Sequence, residues 1–325
     1  MLSRLAGVLN AIPGLKFTEN VPLSSVTRFA IGGPARILTD ASSEAALIAA
    51  LDAVGDNPHA LIGGGTNLVA DDRGFPGVVL RYTANRIEID GDIVGGVVRV
   101  AAGAVLQDLV DATLAAGLQG LHTMTGIPGW VGGAIYGNAG AYGHSIHEFV
   151  ESVRFYDCSA RGSAVGEIGN AECRFQYRES VFKRHKDWIV LETTLRLPPG
   201  DPADLRTKAD EILRIRNEKY PPTMRCAGSI FKNLILAELP EAVRAQVPER
   251  VIREGKVPSA YFLELVGAKG MVLGGVRVAD YHANLIYNAD GGTSQQVREL
   301  IGTLKRRVLD QCGLQLEEEV QYLGC

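Results

Sequence analysis

Gly126-Ile127-Pro128-Gly129-Trp130-Val131-Gly132-Gly133-Ala134-Ile135-Tyr136-Gly137-Asn138-Ala139-Gly140-Ala141-Tyr142-Gly143 is the stretch on which the reading of this chain turns. Seven of its eighteen residues are glycine, and each would weaken a helix or strand by roughly 0.5–1 kcal/mol relative to alanine. A flexible linker would be richer in Ser and poorer in Ile, Trp, Val and Tyr. What glycine permits instead is close approach of bare backbone to a flat, polar ligand. A second glycine run lies upstream in Leu61-Ile62-Gly63-Gly64-Gly65-Thr66-Asn67-Leu68, where an apolar strand enters three glycines. Backbone N–H groups there can meet a pyrophosphate, although a tight strand-ending turn would use the same residues. The run lacks the GxGxxG spacing of a dinucleotide fingerprint, and no glycine run ends in Gly-Lys-Ser/Thr.

Around these loops the pattern is α+β. Helical spacing is read in residues 2–12 through Leu2, Leu5, Val8 and Leu9, in Ser43 to Val54, and in Val105 to Ala116. Strand candidates are His59 to Ile62, Val78 to Arg81, Ile87 to Ile89, Val97 to Ala101, Val150 to Asp157 and Trp188 to Leu197. Pro198-Pro199-Gly200-Asp201-Pro202 reads as a linker, followed by a helix from Ala203 to Glu218 that stops before Pro221-Pro222. Further helices are expected near Pro240 to Gln246 and over Thr293 to Leu309, and a last strand over Leu314 to Leu323. The domains expected are 1–200, in lobes of about 1–84 and 85–200, and 201–325, with the strand near 314–325 packing back toward the first domain.

The chain has 325 residues, 46% hydrophobic and 22% charged, with a net charge of −4. That balance offers no general attraction to nucleic acid or anionic lipid, so any anionic ligand must be held locally. No run approaches the ~18 apolar residues of a membrane span, and residues 1–13 lack a signal-peptide pattern. A cytoplasmic location is expected. Cys158, Cys173, Cys226, Cys312 and Cys325 are odd in number and scattered, so they read as reduced thiols without a zinc site. His144 and His147, with Glu148, could face one way on a helical turn, but no further ligand is evident, which favours surface or supporting roles over metal. Lys183-Arg184-His185-Lys186 reads as a solvated basic turn, with phosphate attraction as the alternative.

Seven segments in order carry a resemblance. They are Gly63 to Leu68, Gly126 to Gly143, Tyr177-Arg178-Glu179-Ser180-Val181-Phe182-Lys183, Gly228-Ser229-Ile230-Phe231-Lys232-Asn233, Gly267-Ala268-Lys269-Gly270, His282-Ala283-Asn284 and Leu316-Glu317-Glu318-Glu319-Val320. Together they resemble the UDP-N-acetylenolpyruvoylglucosamine reductase (MurB) family over nearly the whole chain. The sequence departs from that family's pattern at Val26-Thr27, at Leu234, and in a longer 234–258 segment.

The resemblance implies an α+β fold: a two-lobed FAD-binding fold of the vanillyl-alcohol oxidase type, followed by a smaller α+β substrate-binding domain. It implies NADPH-dependent reduction of the enolpyruvyl ether of UDP-N-acetylglucosamine to UDP-N-acetylmuramate, for peptidoglycan precursor synthesis. FAD is expected on Gly63, Gly64, Gly65, Thr66, Asn67, Leu68, Gly126, Ile127, Pro128, Gly129, Gly132, Gly133, Ala134, Asn138, Ala139 and Gly140. It should be non-covalent, because Thr66 and Asn67 stand where many relatives of the fold attach flavin through histidine. Lys219, Lys232 and Asn233 are the expected nucleotide-sugar ligands. Arg178 and a neutral Glu319 would meet charge developing beside the substrate carboxylate, with a structural ion pair between them as the alternative. Ser229 would deliver a proton to carbon, with the proton restored by Lys232 or water; the alternative is a helix cap. A monomer is expected, with a small-molecule substrate and no nucleic-acid or membrane partner. Two other readings stay open: a non-covalent FAD oxidoreductase acting on a sugar or lactone, and a non-catalytic nucleotide-sugar binding protein.

Overall fold

The computed structural model describes residues 2–92, 95–159 and 164–324. Its chain forms two compact units, each interrupted in sequence. The first comprises Met1–Asn20, Arg36–Gly64 and Gly77–Glu218; the second comprises Val21–Ala35, Gly65–Pro76 and Lys219–Cys325. Each has its own apolar core.

The first unit holds two sheets. One runs in the order Leu15–Pro22, Pro34–Ala41, Phe75–Tyr82, His59–Ile62, its last pair parallel with His59 opposite Val78. The other is antiparallel, in the order Ala164–Gly169, Val150–Asp157, Trp188–Leu197, Gly95–Ala101, Ile87–Asp92. Inward side chains such as Val98, Val100, Val153, Leu191 and Leu195 are fully buried. Helix Leu106–Ala115 lays Leu106, Leu109, Val110 and Leu114 into that core, the face its spacing predicts. Ser43 caps helix Glu44–Val54 by accepting the Ala46 N–H at 3.2 Å.

The division differs from the linker reading in two places. Residues 198–202 are not a free linker: the Gln119 N–H donates to the Pro198 carbonyl at 2.9 Å and the Gly200 N–H to the Gly117 carbonyl at 2.7 Å. The helix that follows, Pro202–Lys219, buries Leu205 and Ala209 in the first core, so the units divide at 218/219 rather than 200/201. Residues 21–35 and 65–76 belong to the second unit, because Phe29, Ile31 and Val69 fill its core. Asn288 holds the first of these segments by donating to the carbonyls of Phe29 (3.3 Å) and Ala30 (3.2 Å), while Asp72 accepts from Ser294 at 2.7 Å.

The second unit's main sheet runs Cys226–Ser229, His282–Asn288, Val276–Ala279, Val272–Leu273. Helix Ser294–Cys312 packs Val297, Leu300, Ile301, Leu304 and Val308 into the core; Thr293 and Gln296 form a capping box, and Gly313 ends the helix in the left-handed region. The closing strand is shorter than its expected span of 314–323. Only Gln321–Leu323 is strand, paired parallel with Leu68–Ala70, and upstream a single bridge joins Glu318 to Phe231. Residues 234–258 are a packed excursion tied at its base by Leu234–Ile235 against Lys256–Val257, with Leu239 and Val247 buried. Cys158, Cys173, Cys226 and Cys312 are free thiols, and Cys325 lies outside the described residues. Among the described residues no helix is long and apolar enough to cross a membrane, and no cluster of three metal-binding side chains occurs.

Candidate active site

In the first unit the glycine-rich stretch folds as short helix Val131–Tyr136 and the turns on either side of it. Most of its amides are spent internally. Gly126 donates to Gln107 Oε1 at 2.7 Å, Gly132 to the Ala102 carbonyl at 2.8 Å, and Ala139 to that of Ala134 at 2.8 Å. Gly132 is glycine for packing, since a Cβ would sit 3.0 Å from that of Ala102. Gly133 differs: a Cβ there would meet nothing within 4 Å, and its N–H has no acceptor among the described residues. A first-turn amide beside open space is a feature a ligand can use. Gly64 lies under the Trp130 indole, where a Cβ would come within 3.2 Å of Cδ1. The Arg81 guanidinium lies 5.8 Å from the centroid of that indole.

Arg178 is carried to the same loop by a tight turn. Gln176 and Glu179 exchange backbone hydrogen bonds across it, and Arg178 takes a φ of +58°, a conformation L-residues adopt only under constraint. Its Nη2 donates to the Gly140 carbonyl at 3.0 Å, and its guanidinium lies 5.1 Å from the Tyr177 ring centroid. Three side chains fasten the turn. Asn138 donates to the Gln176 carbonyl (2.8 Å), Ser180 to that of Tyr136 (2.7 Å), and Lys183 to that of Arg178 (2.6 Å). Lys183 also faces Glu179 at 3.6 Å and the Tyr136 ring at 5.9 Å. The solvated basic turn expected at 183–186 holds for Arg184, His185 and Lys186, which are exposed, but not for Lys183, which ends up mostly covered in the helical turn Val181–Arg184. His144 and Glu148 pair with each other at 2.8 Å, and Glu148 completes a capping box with Ser145.

In the second unit Gly65 has φ +64° and packs so closely that a Cβ would collide with the Val26 carbonyl oxygen, so the chain itself requires glycine there. Asn67 is occupied too, donating to the Glu319 carbonyl at 2.9 Å and accepting from the Gln321 N–H at 2.9 Å, while Leu68 begins a strand. Ser229 ends strand Cys226–Ser229 after Gly228, whose φ is +77°. No helix begins there, so the cap alternative has nothing to cap. The next residues run extended because buried Asn284 acts as a strand neighbour: its Oδ1 accepts the Phe231 N–H at 2.9 Å, and its Nδ2 donates to the Phe231 carbonyl at 2.9 Å and to Ser259 Oγ at 2.7 Å. On the other side the Glu319 N–H donates to the Ile230 carbonyl at 2.7 Å and the Lys232 N–H to that of Glu317 at 2.9 Å. Ser229, Lys232, Asn233 and Glu319 are thereby brought to one segment pair. The Lys232 ammonium is held by Glu317, and the Asn233 Oδ1 accepts the Ser259 N–H at 3.4 Å. Lys219, exposed, closes helix Pro202–Lys219 with its ammonium 5.1 Å from the Tyr220 ring centroid. Tyr220, which the motifs did not single out, places its hydroxyl 3.1 Å from Ser229 Oγ. His282 is kept neutral, its pKa pushed down to about 4 by burial and then by the charge of Lys219.

Residues 35–165 match the family model of an FAD binding domain, and residues 220–323 match the UDP-N-acetylenolpyruvoylglucosamine reductase C-terminal domain. A UDP-N-acetylenolpyruvoylglucosamine reductase from Solibacter usitatus is 52% identical over 99% of this chain and 100% of its own length. The chain belongs to the UDP-N-acetylenolpyruvoylglucosamine reductase family. A second family member, from Rubrobacter xylanophilus, is 35% identical over 96% of each chain. The crystal structure of the family's enzyme from Thermus caldophilus superposes with a TM-score of 0.71 at 27% identity, covering 95% of this chain and 98% of that one. Family and fold together make this a flavin oxidoreductase with an FAD-binding domain and a MurB C-terminal domain. The first unit fits such a cofactor, since Gly133 offers an unspent amide beside space that any side chain would fill.

Proposed function

We propose that this chain catalyses the NADPH-dependent reduction of UDP-N-acetylglucosamine enolpyruvate to UDP-N-acetylmuramate, in the cytoplasm and as a monomer. The observation that carries the reading is the presentation of Ser229: a hydroxyl set by a left-handed glycine on a segment stapled from both sides, with no helix to cap. Bound FAD, non-covalent on 63–68 and 126–140, supplies the carriage of two electrons from NADPH to the enolpyruvyl ether.

The rest falls to side chains of this chain. Reduction at the terminal alkene carbon leaves negative charge on the carbon beside the carboxylate, and preset donors stabilise that charge as it develops. Arg178 is the cationic donor, its fork held by a turn that Lys183, Ser180 and Asn138 fasten. Glu319, its backbone fixed to Ile230 and Asn67, is the second group facing this charge. Ser229 gives its proton to the charged carbon, where position matters more than acidity. Lys219 and Asn233 take the diphosphate. Lys232 supports Glu317 more directly than it could a phosphate.

The two half-reactions test this. Ser229→Ala should be reduced by NADPH at the wild-type rate yet pass electrons to the enolpyruvyl substrate about 10²–10⁴ times more slowly, the range a positioned general acid contributes. Transfer within a fewfold of wild type would reject the role.

A further inference from the structure

The proton Ser229 delivers stays on the product carbon, so its oxygen must be recharged in every turnover. We infer that Tyr220 hands its hydroxyl proton to Ser229 as Ser229 donates to the substrate, a two-proton relay that rests on the reductase reading above. The phenol oxygen lies 3.1 Å from Ser229 Oγ, within hydrogen-bond reach. Lys232, the other donor of the segment, has its ammonium on the Glu317 carboxylate. The placement of Tyr220 is fixed from its neighbour, because the Tyr281 hydroxyl donates to the Lys219 carbonyl at 2.9 Å. The ring, like Met224 and Tyr287, packs against the buried cluster of Cys226, Ala279 and Leu285.

The step balances without any further reactant. As the substrate carbon gains its C–H bond, the Ser229 O–H bond breaks and leaves its electron pair on Oγ. The Tyr220 O–H proton crosses to that pair, and the phenolate recovers a proton from solvent. The Lys219 ammonium, 5.1 Å from the ring centroid, favours the transient phenolate. Neutral His282, its ring 6.4 Å away, adds no charge beside it. Tyr220 therefore acts through Ser229 and need not touch the substrate.

Tyr220→Phe keeps the ring and removes only the proton. NADPH reduction of its flavin should run at the wild-type rate, showing a folded holoenzyme, while reoxidation by the enolpyruvyl substrate should slow about 10-fold or more, part of a general acid's usual contribution. The decisive readout is the dependence of the reoxidation rate on the deuterium fraction of the solvent. Wild type should give a bowed plot and Tyr220→Phe a less bowed one, because the exchangeable hydrogen of reduced flavin and the Ser229 proton contribute to both and only the Tyr220 proton is lost. A straight wild-type plot overturns the relay whatever the variant does, and so does Tyr220→Phe with wild-type rate and an equally bowed plot. If Ser229→Ala is slow while Tyr220→Phe is unchanged, the relay fails and the reductase reading stands. If Ser229→Ala is itself unimpaired, that role falls first.

Discussion

The two units solve recognition with opposite materials. The first builds its loop from backbone: glycines, a first-turn amide and carbonyls, with side chains such as Asn138, Ser180 and Lys183 spent on fixing main chain. The second fixes its main chain through Asn284 and the 317–319 segment, and then displays side chains, Ser229 and Tyr220 among them. A surface of bare backbone suits a flat cofactor that every turnover reuses. A row of side chains suits chemistry, in which protons and charges change place. Glycine accordingly means different things in the two units. At Gly133 it borders open space, whereas at Gly65 it makes room for Val26.

That contrast can be broken by experiment, most strongly at His282. Its folded pKa of about 4 lies below the ordinary 6.5, so between those values the unfolded chain takes up a proton that the folded chain refuses. Stability should fall as pH drops through that window, the loss being complete below about pH 4 and at most about 3 kcal/mol. Urea unfolding at pH 7 and pH 4.5 should show His282→Gln losing less than wild type over this interval; equal losses would remove His282 as the cause. Next in size is Gly133→Ala. Alanine is the better helix former by about 1 kcal/mol, so the apoprotein should be no less stable, yet overpacking of about 1–3 kcal/mol would weaken FAD binding about 5- to 150-fold. Unchanged FAD affinity by titration would show that the open space at Gly133 is not cofactor space. The smallest effect is expected at Gly302, inside helix Ser294–Cys312, where a Cβ would again meet nothing within 4 Å. Gly302→Ala should raise stability by about 1 kcal/mol and leave both half-reactions alone. A loss of substrate turnover there would mean that backbone recognition extends into the second unit.

Local signals were legible where one element's own residues decide its form. Val150–Asp157 and Trp188–Leu197 are strands over the spans their alternation predicts, and Thr293 sets the start of the last helix through its capping box. Signals failed where a distant partner decides. Pro198 to Pro202 has linker composition, yet its backbone is bonded to residues 117–119, and Leu205 is drawn into the first core. Nothing near Phe29 or Val69 announces that both complete the core of the second unit. The basic run at 183–186 hid one lysine whose ammonium is used by a backbone carbonyl five residues back. Tyr220 lay just outside the GSxFKN motif, nine residues before the serine it meets, and only the fold of Cys226–Ser229 closes that gap. Ser229 and Arg178 were singled out through the motifs that carry the resemblance, and the fold sets the serine after left-handed Gly228 and the arginine in a tight turn.

The interrupted make-up of the units sets an order of assembly during synthesis on the ribosome. All segments of the first unit have been made once Glu218 is added, so its core can close while the rest of the chain is still being translated. Val21–Ala35 and Gly65–Pro76 have by then been made but have nowhere to go. Their apolar residues, Phe29, Ile31 and Val69, must wait for helix Ser294–Cys312, and Leu68–Ala70 must wait for Gln321–Leu323, about 250 residues further along the chain. Until then a nascent chain exposes a strand edge and three large apolar side chains near its beginning, the surfaces on which a holding chaperone acts.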